Sequence, residues 1–123
     1  MTLAAHLRKL FTRPNTTIAA SRAQELTQQR RAVLLDVRER SEWDSGHAPN
    51  ARHIPLGALP ARLDELPTGR PVVAVCESGL RSARAARVLA RQGHEVYNLR
   101  GGMRAWAGAG LPVEASGGAP RAR

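Results

Sequence analysis

"PVVAVCESGLRSARAARVLARQ", residues 71–92, decides the fold. Residues 71–75 are continuously apolar rather than alternating, the pattern of a strand buried on both faces of a parallel sheet. From about Arg81 to Gln92, Ala85, Ala86 and Leu89 recur at helical spacing, and Gly93 suits the helix stop. Between strand and helix lies the single cysteine, Cys76, followed by Gly79 and Arg81. A buried strand feeding a helix through a short loop is the repeating element of α/β folds.

The same pattern continues on either side. "AVLLDV" (32–37) is a second continuous apolar strand, "TTIAA" (16–20) a weak one, "RHIP" (52–55) a brief one and "EVYNL" (95–99) a fifth. Ser21 is placed as the N-cap of a helix containing Ala23, Leu26 and Gln29. "RSEWDSGH" reads as a short helix stopped at Gly46, "GALPARLDEL" (57–66) as a helix around Leu59, Leu63 and Leu66, and "GMRAWAGAG" (102–110) as a final short helix. The fold class is α/β: about five mostly parallel strands with helices on both faces, a three-layer sandwich.

With 123 residues, one core is expected and no second domain. Residues 1–16 read as a flexible basic leader, 17–113 as the domain, and 114–123, "EASGGAPRAR", as a disordered tail. One cysteine forms no intrachain disulfide, and a free thiol suits a reducing compartment, so the expected location is cytoplasmic. No apolar run approaches the ~20 residues needed to cross a bilayer. The net charge of +9 comes almost wholly from arginine, Lys9 being the only lysine, and the arginines are scattered. With 3% aromatic residues there is no stacking platform for single strands, so nucleic acid is not the expected partner. A basic surface instead favours anions and acidic proteins. A monomer is expected.

Ligand sites in open α/β sheets form beyond the carboxyl ends of the strands, where Cys76 stands. The following helix presents unpaired N–H groups there, and its dipole favours negative charge. A thiolate so placed titrates well below the ~8.5 of a free thiol. Gly79 lets the backbone turn inward, and Arg81 offers a planar fork for an oxyanion. The plain alternative is a small core cysteine at a strand end.

"CESGLRS" resembles the active-site loop of rhodanese-domain sulfurtransferases. "LLDVRERSEWDSGHAPNARHIPL" is similar to that family's first signature, and "LRGGMRAWAGAGLPV" to its closing one. Three pieces in the right order cover roughly residues 17–113. The resemblance implies a single rhodanese-like domain in which Cys76 takes a sulfane sulfur from a donor such as thiosulfate or a persulfide. Cys76 would hold it as a persulfide and pass it to a thiol or cyanide-like acceptor. The backbone N–H groups of Glu77, Ser78, Gly79, Leu80 and Ser82 would cradle the sulfur, and Arg81 would hold an anionic donor. No metal or organic cofactor is implied.

The sequence departs from the family pattern at Ala48 and Asn50, where Ile and Gly are frequent. Asn tolerates left-handed backbone, so the turn is expected to survive. Glu77 places a carboxylate directly after the nucleophile and is expected to point outward into solvent.

Arg38 and Asp36 flank the same mouth; Arg38 either helps bind donor anions or is an ion-pair partner of Asp36, Glu39 or Glu42. His47 suggests a Cys–His dyad but is read as structural. His53 and His94 lack ligand-like company. Arg84, Arg87 and Arg91 form a polar helix face that could dock an acidic partner, and Trp43 and Trp106 read as core or cover residues. Two other classes share these features: a thiol-based redox sensor or docking module, and a phosphatase or arsenate reductase on the same fold.

Overall fold

The computed structural model describes residues 16–116. The strands are β1 (Thr16–Ile18), β2 (Val33–Asp36), β3 (Arg52–His53), β4 (Val72–Val75) and β5 (Val96–Leu99). They form one sheet in the order β1-β5-β4-β2-β3, and every pairing is parallel. The helices are α1 (Ala20–Gln29), α2 (Arg40–Ser45), α3 (Leu80–Arg91) and α4 (Gly102–Gly108). The two strands read as continuously apolar, β2 and β4, are central and pair in register from Val33–Val72 to Asp36–Val75.

Side chains alternate across these strands and so build two cores. Val33, Leu35, Val72 and Ala74 pack with Ala85, Ala86 and Leu89 of α3, and Cys76 belongs to this cluster. Leu34, Val73 and Val75 face the other way, onto Ala23 and Leu26 of α1 and onto Met103 and Trp106 of α4. Covering both faces is what lets apolar runs of this kind be strands. Trp106 is fully buried and its indole N–H donates to the Pro112 carbonyl at 2.7 Å.

Three expectations are corrected. The helix read over 57–66 is two 3₁₀ turns, Leu56–Ala61 and Leu63–Glu65. Pro60 lies inside the first and brings no N–H to an α-helical ladder, while Leu59 and Leu66 still reach the core. Ser21 does not cap α1, because it already lies inside the helix; Ala19 holds the cap position without a side-chain bond. Beyond Val113 the chain stays attached: His47 and Glu114 exchange backbone hydrogen bonds at 2.9 Å, and Ser116 bonds Asp44. Thr16, where the expected leader and the weak strand overlap, belongs to the strand and pairs with Tyr97 in the sheet. The rest of the expected leader and tail, 1–15 and 117–123, lies outside the described residues. Asn50 has φ 64°, the left-handed backbone expected of it.

Candidate active site

Cys76 directly follows β4, with 1% of its surface exposed. The loop that holds it is built by glycine. Gly79 takes φ 114°, a conformation L side chains rarely adopt, and turns its N–H onto Cys76 Sγ at 3.0 Å. A second glycine fixes the loop from outside: a Cβ on Gly102 would overlap the Cys76 and Glu77 carbonyls. That close approach lets the start of α4 bond the loop, Met103 N–H to the Cys76 carbonyl at 2.8 Å and Arg104 N–H to the Glu77 carbonyl at 3.3 Å.

The Ser82 hydroxyl, on the first turn of α3, lies 3.3 Å from Sγ. It also lies 2.5 Å from Asn98 Oδ1, and the Asn98 amide donates to the Gly79 carbonyl at 3.2 Å. Burial works against a charged sulfur, but the Ser82 hydroxyl and the N–H groups of Ser82, Gly79 and Ser78 outweigh it. The thiol is held below its ordinary value. An inert core cysteine would be shifted the other way. Of the cradle amides, the Gly79 N–H bonds the sulfur directly, and those of Ser78 and Ser82 also help to lower its titration.

Arg38 is 4% exposed and Asp36 fully buried. The Asp36 carboxylate takes the Arg38 backbone N–H at 3.0 Å, its Nε at 3.0 Å and its Nη2 at 2.9 Å. Nη2 also donates to the Gly46 carbonyl at 2.6 Å, and Nη1 to Glu77 Oε1 at 3.2 Å. The ion-pair alternative for Arg38 is therefore the observed one, with Asp36 and Glu77 as partners. Glu77, expected to be simply solvated, is half-exposed but tied to Arg38.

Arg81 makes a bidentate pair with Glu42, at 2.6 and 2.8 Å. The Arg81 hydrogen bonds hold the Glu42 carboxyl down to about 2 and push the guanidinium further up. Its fork is thus occupied by a carboxylate of the chain itself. The sequence reading missed both Glu42 in this role and Asn98. Asn98 carried a signal, an amide inside a buried strand, whereas Glu42 resembled any exposed helix carboxylate.

His47 is not a partner of Cys76. Its ring stacks on Trp43 at 3.6 Å between centroids, with Nδ1 2.8 Å from the Trp43 carbonyl. His53 stacks on Trp43 at 4.8 Å, with Nε2 2.8 Å from the Arg38 carbonyl. The two imidazoles brace the loop after β2. Among the described residues no three His, Cys, Asp or Glu side chains gather as a metal site.

A cysteine with its thiol held below the ordinary value, in a glycine-built loop between a parallel strand and a helix, agrees with comparison to known proteins. Residues 19–109 match the family model described as rhodanese-like domain. The chain belongs to that family. This rhodanese-like chain is 46% identical over 80 residues to the "Uncharacterized protein YqhL" of Bacillus subtilis, 64% of each chain. It is 40% identical over 102 residues to a protein of Allochromatium vinosum named "Sulfurtransferase", covering 82% of this chain and 95% of that one. Among solved structures it resembles a rhodanese-related protein from Thermoplasma volcanium, with TM-score 0.75 and 29% identity, covering 80% of this chain and 97% of the other. No helix among the described residues of this rhodanese-like domain is long and apolar enough to cross a membrane.

Proposed function

We propose that this chain transfers a sulfane sulfur through a persulfide on Cys76. The observation that carries the proposal is a buried thiol whose Sγ receives the Gly79 N–H at 3.0 Å and faces the Ser82 hydroxyl at 3.3 Å. The thiolate attacks the terminal sulfur of a thiosulfate or persulfide donor. The new bond joins Sγ to that sulfur; the old sulfur–sulfur bond breaks, and its electron pair leaves with sulfite or the donor thiolate. The outer sulfur then lies at the start of α3, where the first-turn N–H groups lack helical acceptors. An acceptor thiolate or cyanide removes it and returns Cys76 as thiolate.

In this scheme Arg81 meets an anionic donor only by exchanging Glu42 for it. Arg38 and Asp36 are positioning residues that fix the loop after β2 and hold Glu77 away from the sulfur. The A. vinosum relative's name supports the class of reaction. Cytoplasmic action as a monomer fits the single free thiol.

The test is mass spectrometry of the native protein and of Cys76→Ser after incubation with thiosulfate or a low-molecular-weight persulfide. One added sulfur on Cys76, absent from the variant, is expected. Sulfenic acid or mixed disulfide without sulfur transfer would instead make the thiol a redox sensor. Phosphate chemistry is tested alongside. Four residues separate Cys76 from Arg81, so the loop closes on one sulfur atom, and aryl phosphate hydrolysis should be no faster than with Cys76→Ser.

A further inference from the structure

The two arginines assigned to the site are neutralised within the domain: Arg38 by Asp36 and Glu77, Arg81 by Glu42. The unneutralised ones lie elsewhere. Leu80, Arg84, Arg87 and Arg91 follow the i, i+4, i+7, i+11 spacing of one helical stripe on α3. Ser82, Ala85, Ala86 and Leu89 occupy the opposite, buried side. All four stripe residues are exposed, and α3 contains no acidic residue. Arg84, Arg87 and Arg91 have no carboxylate within ion-pair distance among the described residues. Leu80 is 80% exposed, the one large hydrophobic residue so exposed among the described residues, and it opens α3 directly after Gly79 of the Cys76 loop.

A lone exposed leucine needs no explanation, and a charged helix face is usually just solvated. Here the two are continuous. An apolar contact sits at the catalytic end, and three uncompensated charges run away from it along the helix.

We propose that this stripe docks an acidic protein that accepts sulfur from Cys76. An apolar residue of the partner meets Leu80, its carboxylates meet Arg84, Arg87 and Arg91, and its cysteine thiolate reaches the persulfide. The acceptor thiolate forms a bond to the outer sulfur. The bond between that sulfur and Cys76 Sγ breaks with its electron pair left on Sγ, so no external oxidant or reductant is consumed. The docking site rests on the persulfide reading and adds the class of acceptor to it. A protein is favoured over nucleic acid because the stripe begins with an aliphatic side chain and has no aromatic stacking residue.

The test uses Cys76 loaded with sulfur and three acceptors: dithiothreitol, a cysteine peptide rich in Asp and Glu around a leucine, and the same peptide with Asn and Gln in place of the acids. At low salt the acidic peptide should accept sulfur about tenfold or more faster than its neutral counterpart, and the advantage should fade as salt is added. The triple variants Arg84→Gln/Arg87→Gln/Arg91→Gln and Arg84→Glu/Arg87→Glu/Arg91→Glu should remove that advantage while transfer to dithiothreitol stays at the native rate. Equal rates for the two peptides, or an advantage that survives both triple variants, overturns the docking site while leaving the persulfide reading intact. An arginine-dependent affinity for a labelled oligonucleotide, with no peptide preference, overturns it in favour of nucleic acid. Failure of Cys76 to take up sulfur at all overturns the functional reading, and the docking proposal with it.

Discussion

Replacing Ser82 with Ala removes the hydroxyl that lies 3.3 Å from Cys76 Sγ and 2.5 Å from Asn98 Oδ1. That hydroxyl has one proton for two acceptors. While Cys76 is a thiol, Ser82 is free to donate to Asn98; once the sulfur is charged, both compete for the proton. Stabilising the thiolate therefore displaces a neutral hydrogen bond. Its net contribution falls at the lower end of the roughly 1.5–3 kcal/mol typical of a bond to a charged group. Since about 1.4 kcal/mol is a factor of ten, the thiolate fraction below the titration midpoint should fall roughly tenfold. The N–H groups of Ser82, Gly79 and Ser78 remain, so reactivity is reduced rather than abolished. Asn98 Oδ1 also loses a buried donor, which should cost about 1–3 kcal/mol of stability. The assay is the rate of iodoacetamide alkylation against pH for both proteins, each shown folded by its thermal melt. The variant's profile should move to higher pH with the same plateau. Coincident profiles would refute the view that the hydroxyl stabilises the thiolate.

Glu42→Gln should release Arg81 and lower the KM for thiosulfate by roughly threefold, given the modest strength of partly exposed pairs, while leaving KM for an uncharged persulfide unchanged. The same pair sets a pH dependence. Because Glu42 is lowered from 4.5 to about 2, its contribution to stability is complete above 4.5 and is lost as pH falls toward 2. Acid melts of the native protein and Glu42→Gln should converge across that window. Asp36→Asn leaves the Arg38 guanidinium buried without its principal counter-charge and should cost about 3–5 kcal/mol in urea denaturation. Gly102→Ala drives a methyl into the Cys76 and Glu77 carbonyls, so alkylation of Cys76 should lose its low-pH reactivity; an unchanged profile would show that the loop does not depend on this contact.

The parts of the fold legible in the sequence are those whose signal is local. β2 and β4 were readable because strands buried on both faces need unbroken apolar runs, and the cysteine loop because Cys76, Gly79 and Arg81 fall within six consecutive residues. Residues 57–66 misled because leucine spacing alone does not distinguish an α-helix from 3₁₀ turns, and Pro60 decides between them. At the site, the thiol and its loop were legible but their polar partners were not. Glu42 meets Arg81 across 39 residues, and Asn98 meets Ser82 across 16. Such pairings exist only once the sheet has brought α2 and β5 beside α3, so no spacing rule along the chain announces them.

The grip of α4 on the reactive loop also dates the moment at which the sulfur becomes special. The carbonyls of Cys76 and Glu77 are held by N–H groups of Met103 and Arg104, and the Ser82 hydroxyl by Asn98, all downstream of the cysteine. A chain still on the ribosome, synthesised only as far as α3, carries the nucleophile without the residues that shape its surroundings. The contacts that shape the loop are complete only with the last quarter of the domain, so a chain stopped before β5 should alkylate at Cys76 as an ordinary thiol does.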